Sequence, residues 1–212
     1  MLTSIIPPIP DLDLTDSCRF HLLLNHLVSD RRYVRHFQRL RERGDFLTLD
    51  NSAHEFTAGS DPDQLFKNAQ LLNVQEIVCP DHLFDALQTV SRTRGFIEYL
   101  IDHRNAGWDQ LHPRLMIVPQ GWCRKEWRAC FRDLLEIFDN SSIYLNDPHL
   151  TLGLSKDYEN FPGGLHLLLE QDFIPEKERR GFECHIHLLG WGRDLWALDQ
   201  IRRDFGSYIR SV

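Results

Sequence analysis

A chain of 212 residues that is 42% hydrophobic and 26% charged has the material for one domain with a packed core. An aromatic content of 11% excludes disorder over most of its length. No apolar run reaches the ~18–20 residues of a membrane span, and a net charge of −7 gives no overall basic footprint of the kind nucleic-acid binders usually carry.

Residues 1–18 are rich in proline and then in acidic side chains, and are expected to form an irregular arm without a basic-then-apolar signal peptide. The expected location is therefore the cytoplasm. From Arg19 onward, short apolar runs alternate with longer stretches of helical period. Residues 20–24 read as a buried strand. Residues 32–43 read as a helix with Tyr33, Phe37 and Leu40 inward, stopped by Gly44. Residues 46–49 form the next predicted strand. Asp61-Pro62 opens a helix as N-cap and first position, with Leu65, Ala69 and Leu72 as its stripe.

Strands are expected at 76–79 and 115–118, and helices over 84–102, where Gly95 is a candidate break, and over 127–138. The fifth strand has two candidate starts, at 144–145 and at 150–154. A helix over 165–171, a strand over 182–189, a helix over 195–205 and a strand over 207–212 complete the chain. Six β-α repeats with continuously apolar strands predict a parallel sheet covered on both faces. Residues 19–212 then form one (β/α)-barrel of TIM type lacking its last β-α unit, or an open sheet. No G-x-G-x-x-G follows the first strand, which argues against the dinucleotide-binding form.

In such folds chemistry sits on the loops after the strands. Those loops carry Asp50, Asn51, Ser52, His54 and Glu55, then Asp81, then Gln120 and Gly121, then Gly190. Two carboxylates, a carboxamide and glycines at one mouth suit acid–base and electrostatic chemistry on a polar ligand. The plainer alternative is that Asp50 and Asp81 only cap the following helices. His54 suits proton transfer near neutrality or a hydrogen bond within its loop.

Arg31, Arg32, Arg35 and Arg39, with Arg41 and Arg43, crowd one segment, and Arg124, Lys125, Arg128 and Arg132 another. They read either as solvated faces or as phosphate contacts. His185 and His187 share a strand face, and packing is the favoured reading without a third metal ligand. Trp122, Trp127 and Trp191 suit base stacking or core packing. Five cysteines without a C-x-x-C pair predict reduced thiols and no cofactor; zinc is the alternative, though its usual cysteine cluster is missing.

The succession Leu47-Thr48-Leu49-Asp50-Asn51-Ser52-Ala53-His54-Glu55, Glu76-Ile77-Val78-Cys79-Pro80-Asp81, Ile117-Val118-Pro119-Gln120-Gly121 and His187-Leu188-Leu189-Gly190 resembles the tRNA-guanine transglycosylase superfamily. It is most similar to the phage and bacterial branch that inserts 7-deazaguanine bases into DNA. The resemblance runs in order over residues 19–212. It implies exchange of guanine for a 7-deazaguanine through a covalent glycosyl-enzyme intermediate. The partners it implies are DNA, with tRNA as the alternative, and the free base. The location it implies is the cytoplasm, that of the host if the chain is phage-encoded.

By the same resemblance Asp50 works beside the reaction centre. Asp81 and Gln120 bind the base, and backbone near Gly190 completes the pocket. The family's nucleophilic Asp follows the strand matched by residues 207–212 and has no counterpart in this sequence. Either the sequence is shortened there, or Asp50 or Asp81 attacks, or the protein is a catalytically silent nucleic-acid-binding or subunit protein. The family's clustered zinc-binding cysteines have no counterpart either.

Overall fold

The computed structural model describes residues 2, 4–56, 60–103, 113–141, 150–190 and 195–212. Seven parallel strands lie in sequence order: β1 (Phe20–Leu24), β2 (Phe46–Asp50), β3 (Glu76–Val78), β4 (Arg114–Ile117), β5 (Leu150–Ser155), β6 (Cys184–Leu189) and β7 (Ile209–Ser211). Helices connect them: α1 (Arg31–Glu42), a short α2 (Ala53–Phe56), α3 (Pro62–Leu72), α4 (Ala86–Asp102), α5 (Arg124–Asp139), α6 (Gly164–Leu168), α7 (Ile174–Arg180) and α8 (Leu195–Phe205). Parallel neighbours require such crossovers.

The arginine-rich α1 illustrates which force wins. Like charges four apart cost about 0.2–0.5 kcal/mol per pair. Tyr33, Phe37 and Leu40 are at most 2% exposed, and burying each is worth about 1.5–3 kcal/mol. Asp30 caps the helix by accepting from the backbone N–H groups of Arg32 and Tyr33 at 2.7 and 3.3 Å. Gly44 follows it at φ +93°. Helix α3 starts on the predicted Asp61 cap with proline in its first turn.

The sheet is curled, and contacts between distant strands show it. Glu76 of β3 accepts from Thr48 of β2 at 3.0 Å, from Thr151 of β5 at 2.5 Å and from Arg210 of β7 at 2.6 and 2.7 Å. The Arg210 guanidinium also lies 5.8 Å and 4.9 Å from the ring centres of Phe20 and Phe46 on β1 and β2. Glu76, fully buried, thus ties together strands that would be far apart in a flat sheet. Above it, Leu22, Val78, Met116 and Val118 form a small apolar cluster, separate from the large core between sheet and helices.

Several elements depart from expectation. Helix α4 runs through Gly95, whose site is exposed and uncrowded. The helix predicted over 165–171 continues through a π-helical turn (Leu169–Phe173) into α7, where Pro175 sits in the first turn and so breaks nothing. The fifth strand starts at Leu150; the alternative start at 144–145 lies outside the described residues. The arm is not irregular throughout, because Ile9–Ser17 forms 3-10 turns and Leu2 pairs with Ser211. Among the described residues no helix is long and apolar enough to cross a membrane.

On the sheet's inner face, His187 is 1% exposed and its Nδ1 lies 2.7 Å from Ser211 Oγ. Burial, helped by the nearby charge of Arg210, pushes its pKa down to about 3. A histidine held neutral in the fold and free to protonate when unfolded favours unfolding as pH drops below about 6.5. The stability difference between the parent and His187→Gln is therefore expected to shift against the parent as pH falls from 6.5 towards 3. Urea unfolding of both at a series of pH values measures it, and parallel curves would rule it out.

Candidate active site

The C-terminal ends of the strands surround a cavity of about 380 Å³, within the usual range for small-molecule sites. Gly153 of β5 packs behind Val118, one of the cavity's lining residues. A Cβ there would come within 2.8 Å of Val118 and 3.1 Å of the Met116 sulfur. One wall is polar, with Asp50, Asn51, Asp81 and Gln120; another carries Leu22, Leu24 and Leu189.

Three side chains form a connected set on the polar wall. Asn51 Nδ2 donates to Asp81 Oδ1 at 2.8 Å and to the Cys79 carbonyl at 2.6 Å. Gln120 Nε2 donates to Asp81 Oδ2 at 2.5 Å, and Gln120 Oε1 accepts from the Phe84 backbone N–H at 3.2 Å. All three are under 5% exposed. Both oxygens of Asp81 are therefore held by internal amides, each with a lone pair left for a ligand. Burial raises the Asp81 pKa despite these two donors.

Asp50 sits at the end of β2, partly exposed to the cavity. Its Oδ2 accepts from Ser52 N–H at 2.8 Å. Enclosure by protein pushes its pKa up to about 7, against that hydrogen bond and with the charges of Asp81 and Glu55 adding to the rise. A carboxyl whose pKa is raised towards neutrality beside a second carboxyl has the chemistry to give or take a proton at ordinary pH. The chain is bent for it: Ser52 stands at φ +61°, and Asn51 Oδ1 accepts from Ala53 N–H at 2.8 Å to start α2.

The structure brings Asp50, Asn51, His54, Asp81, Gln120 and Gly190 to one cavity. Two expected ligand contacts are corrected. Ser52 is fully buried, and its hydroxyl lies 3.3 Å from the His26 backbone N and 3.0 Å from His26 Nδ1. Gly121 is buried against α5, where a Cβ would meet Trp127 N at 2.6 Å. Ser52 and Gly121 thus shape the wall from behind, and neither lines it. Gly190 adopts φ +78°, a conformation that favours glycine.

The arginines lie outside the cavity on α1. Arg31, Arg32, Arg35 and Arg39 are all exposed. Arg39 pairs with Asp16 at 2.6 Å and Arg32 with Asp30 at 3.5 Å. In the second basic segment Arg124 and Arg128 share the buried Asp172 at 2.6 and 3.4 Å, and Arg132 comes within 3.9 Å of Glu176. Trp127 is core, whereas Trp122 is 74% exposed and stacks on Phe84, a cavity residue, at 4.8 Å. Trp191 lies outside the described residues. No group of three or more metal-ligating side chains occurs among the described residues.

Sequence reading missed several wall residues. Ser155, Lys156, Asp157 and Tyr158 line the cavity after β5. The loop after the predicted strand at 150–154 supplied no candidate, and the strand itself runs on to Ser155. Asn25, Ser60 and Asn68 were also missed. Asn68 donates to Asn25 at 2.8 Å, Asn25 to Ser60 at 2.7 Å, and Ser60 to the Asn51 carbonyl at 2.7 Å. This chain anchors the Asn51 turn from three separate segments. No protein-family model matches the chain, and no curated protein matches it significantly.

Proposed function

We propose that the protein is a TIM-type (β/α)-barrel transglycosylase that exchanges guanine in DNA for a 7-deazaguanine base. The observation that carries the reading is the Asn51–Asp81–Gln120 set opening onto the same cavity as Asp50. The likeness of these strand-end motifs to the tRNA-guanine transglycosylase superfamily supports it.

The Watson–Crick edge of a guanine-like base presents N–H donors, which a carboxylate accepts. Asp81 is that acceptor, and its two internal amides fix its plane. On this reading the sugar lies against Asp50, which lines the same cavity. In the first step a carboxylate oxygen bonds to C1′ while the C1′–N9 bond breaks; the electron pair goes to N9, which takes up a proton. In the second, N9 of the 7-deazaguanine loses its proton and attacks C1′, and the carboxylate leaves. A carboxylate nucleophile divides one hard substitution into two. Asp50 either supplies that oxygen or stabilises the oxocarbenium-like charge beside it. His54, exposed on α2 at the rim, is placed to relay the proton. A base in a duplex must first be flipped out to reach such a cavity.

Labelled guanine offered with duplex DNA and with tRNA tests the proposal. Incorporation into DNA supports it, incorporation only into tRNA transfers the activity to that substrate, and none into either overturns it. On this reading α1 contributes phosphate contacts. Neutralising Arg31 and Arg35 together is expected to weaken DNA binding equally for all sequences and to lower the salt slope by up to about 2. An unchanged slope would make α1 a solvated face only.

A further inference from the structure

The two edges of the sheet are joined by the first residues of the chain. Leu2 N–H donates to the Arg210 carbonyl, Val212 N–H to the Leu2 carbonyl and Ser4 N–H to the Val212 carbonyl, each at 2.9 Å. Leu2 and Ser211 pair in parallel. On the other side, Leu22 N–H of β1 donates to Ser4 Oγ at 2.8 Å. Ser4 thus bonds to the edge of β7 through its backbone and to the edge of β1 through its hydroxyl. Two residues on, roughly 6–7 Å along an extended chain, Ile6 lines the cavity and is 49% exposed.

We infer that Leu2 and residues 4–6 belong to a stave of the barrel, filling the seam between β7 and β1 and walling the cavity with Ile6. The segment runs parallel to β7, so it climbs towards the same mouth as the strands do. A curled sheet with a gap there would leave the Leu22 N–H and the Val212 carbonyl without these protein partners. It would also open a side path into the interior that holds Glu76 and Arg210. With the segment in place, the apolar wall of Ile6, Leu22, Leu24 and Leu189 stands with the polar wall of Asp81, Asn51 and Gln120 around one cavity. A flat heterocycle with one hydrogen-bonding edge and one carbon-rich edge suits such a cavity. Naming that ligand a 7-deazaguanine rests on the proposed function; the stave does not.

Two measurements decide it. Hydrogen exchange on the free protein compares the parent with Ser4→Pro, which removes both the N–H and the hydroxyl, and with Ser4→Ala, which removes only the hydroxyl. The amides of Leu22 and Val212 are expected to exchange about tenfold faster or more in Ser4→Pro, while β3 and β4 keep parental rates. Ser4→Ala should release Leu22 alone, and it serves if the proline variant does not fold. Unchanged protection at Leu22 in Ser4→Ala overturns the stave. Calorimetry with 7-deazaguanine then tests the wall. Ile6→Trp is expected to bind about tenfold more weakly or worse at an unchanged Tm, and parental affinity would remove Ile6 from the wall. If the parent itself binds no 7-deazaguanine, the functional reading fails, and the exchange data alone decide the stave.

Discussion

Asp50→Asn is expected to lower single-turnover base exchange by about 10³-fold or more while leaving the fold at least as stable as the parent above pH 7. The stability half follows from the raised pKa. Asp50 titrates at about 7 in the fold, against a usual value of 3.8. Between those values the folded state holds a proton that the unfolded state has lost. The carboxyl therefore destabilises the fold progressively as pH rises through that window. An amide carries no charge to bury, and its oxygen can still accept from Ser52 N–H. The gain at pH 8 should be at least ~1 kcal/mol and should vanish near pH 4.

The plainer role for Asp50, a cap on the turn into α2, predicts the opposite pattern. Asp50→Ala would then lose about 0.5–2 kcal/mol with exchange per folded molecule intact, and Asp50→Asn would be silent. Urea unfolding at pH 4 and 8, with exchange measured on the same samples, separates the two. Exchange at the parental rate by Asp50→Asn would remove Asp50 from the chemistry. His54→Ala should cost less than either, because water at the exposed rim can replace it as a proton carrier.

Asp81→Asn is expected to weaken base binding by about 10–100-fold and also to destabilise the fold by about 1–3 kcal/mol. From the sequence alone Asp81 reads as a base contact or as a cap of the following helix, with no partner inside the cavity wall. The structure adds the stability cost, because both oxygens already accept from Asn51 and Gln120. An amide at position 81 must turn its NH₂ towards one of these donors. Pairing Asp81→Asn with Gln120→Glu gives that NH₂ an acceptor and should restore stability but not base affinity. Calorimetry with guanine and thermal unfolding on both variants test this, and parental affinity in Asp81→Asn would end its assignment as the base reader.

Most of the strands were legible because they are short apolar runs bounded by turn residues, and α1 and α3 because their apolar positions recur at helical spacing beside Asp caps. Asp50, Asp81 and Gln120 were legible as candidates because each follows such a run. Glu76 was not. It reads as the polar start of a strand, and only the curl of the sheet turns it inward to meet Arg210, 134 residues away in sequence. Ser52 and Gly121 misled for the same reason, since a loop position next to a reactive residue says nothing about which side of the wall it takes.

What the sequence determined by itself is local: element type, the order of strands and helices, the caps, and which polar residues stand at strand ends. These depend on periodicity and on backbone preferences that act over a few residues. What only the tertiary structure decided is which of those residues share a space. Curling the sheet brings Asp50, Asp81 and Gln120 onto one cavity, draws Ser155–Tyr158 into its wall, and sets Leu2 and Ser4 between β7 and β1. Those contacts depend on loop closure over long stretches of chain and on the fit of packed layers, neither of which leaves a periodic trace in the sequence.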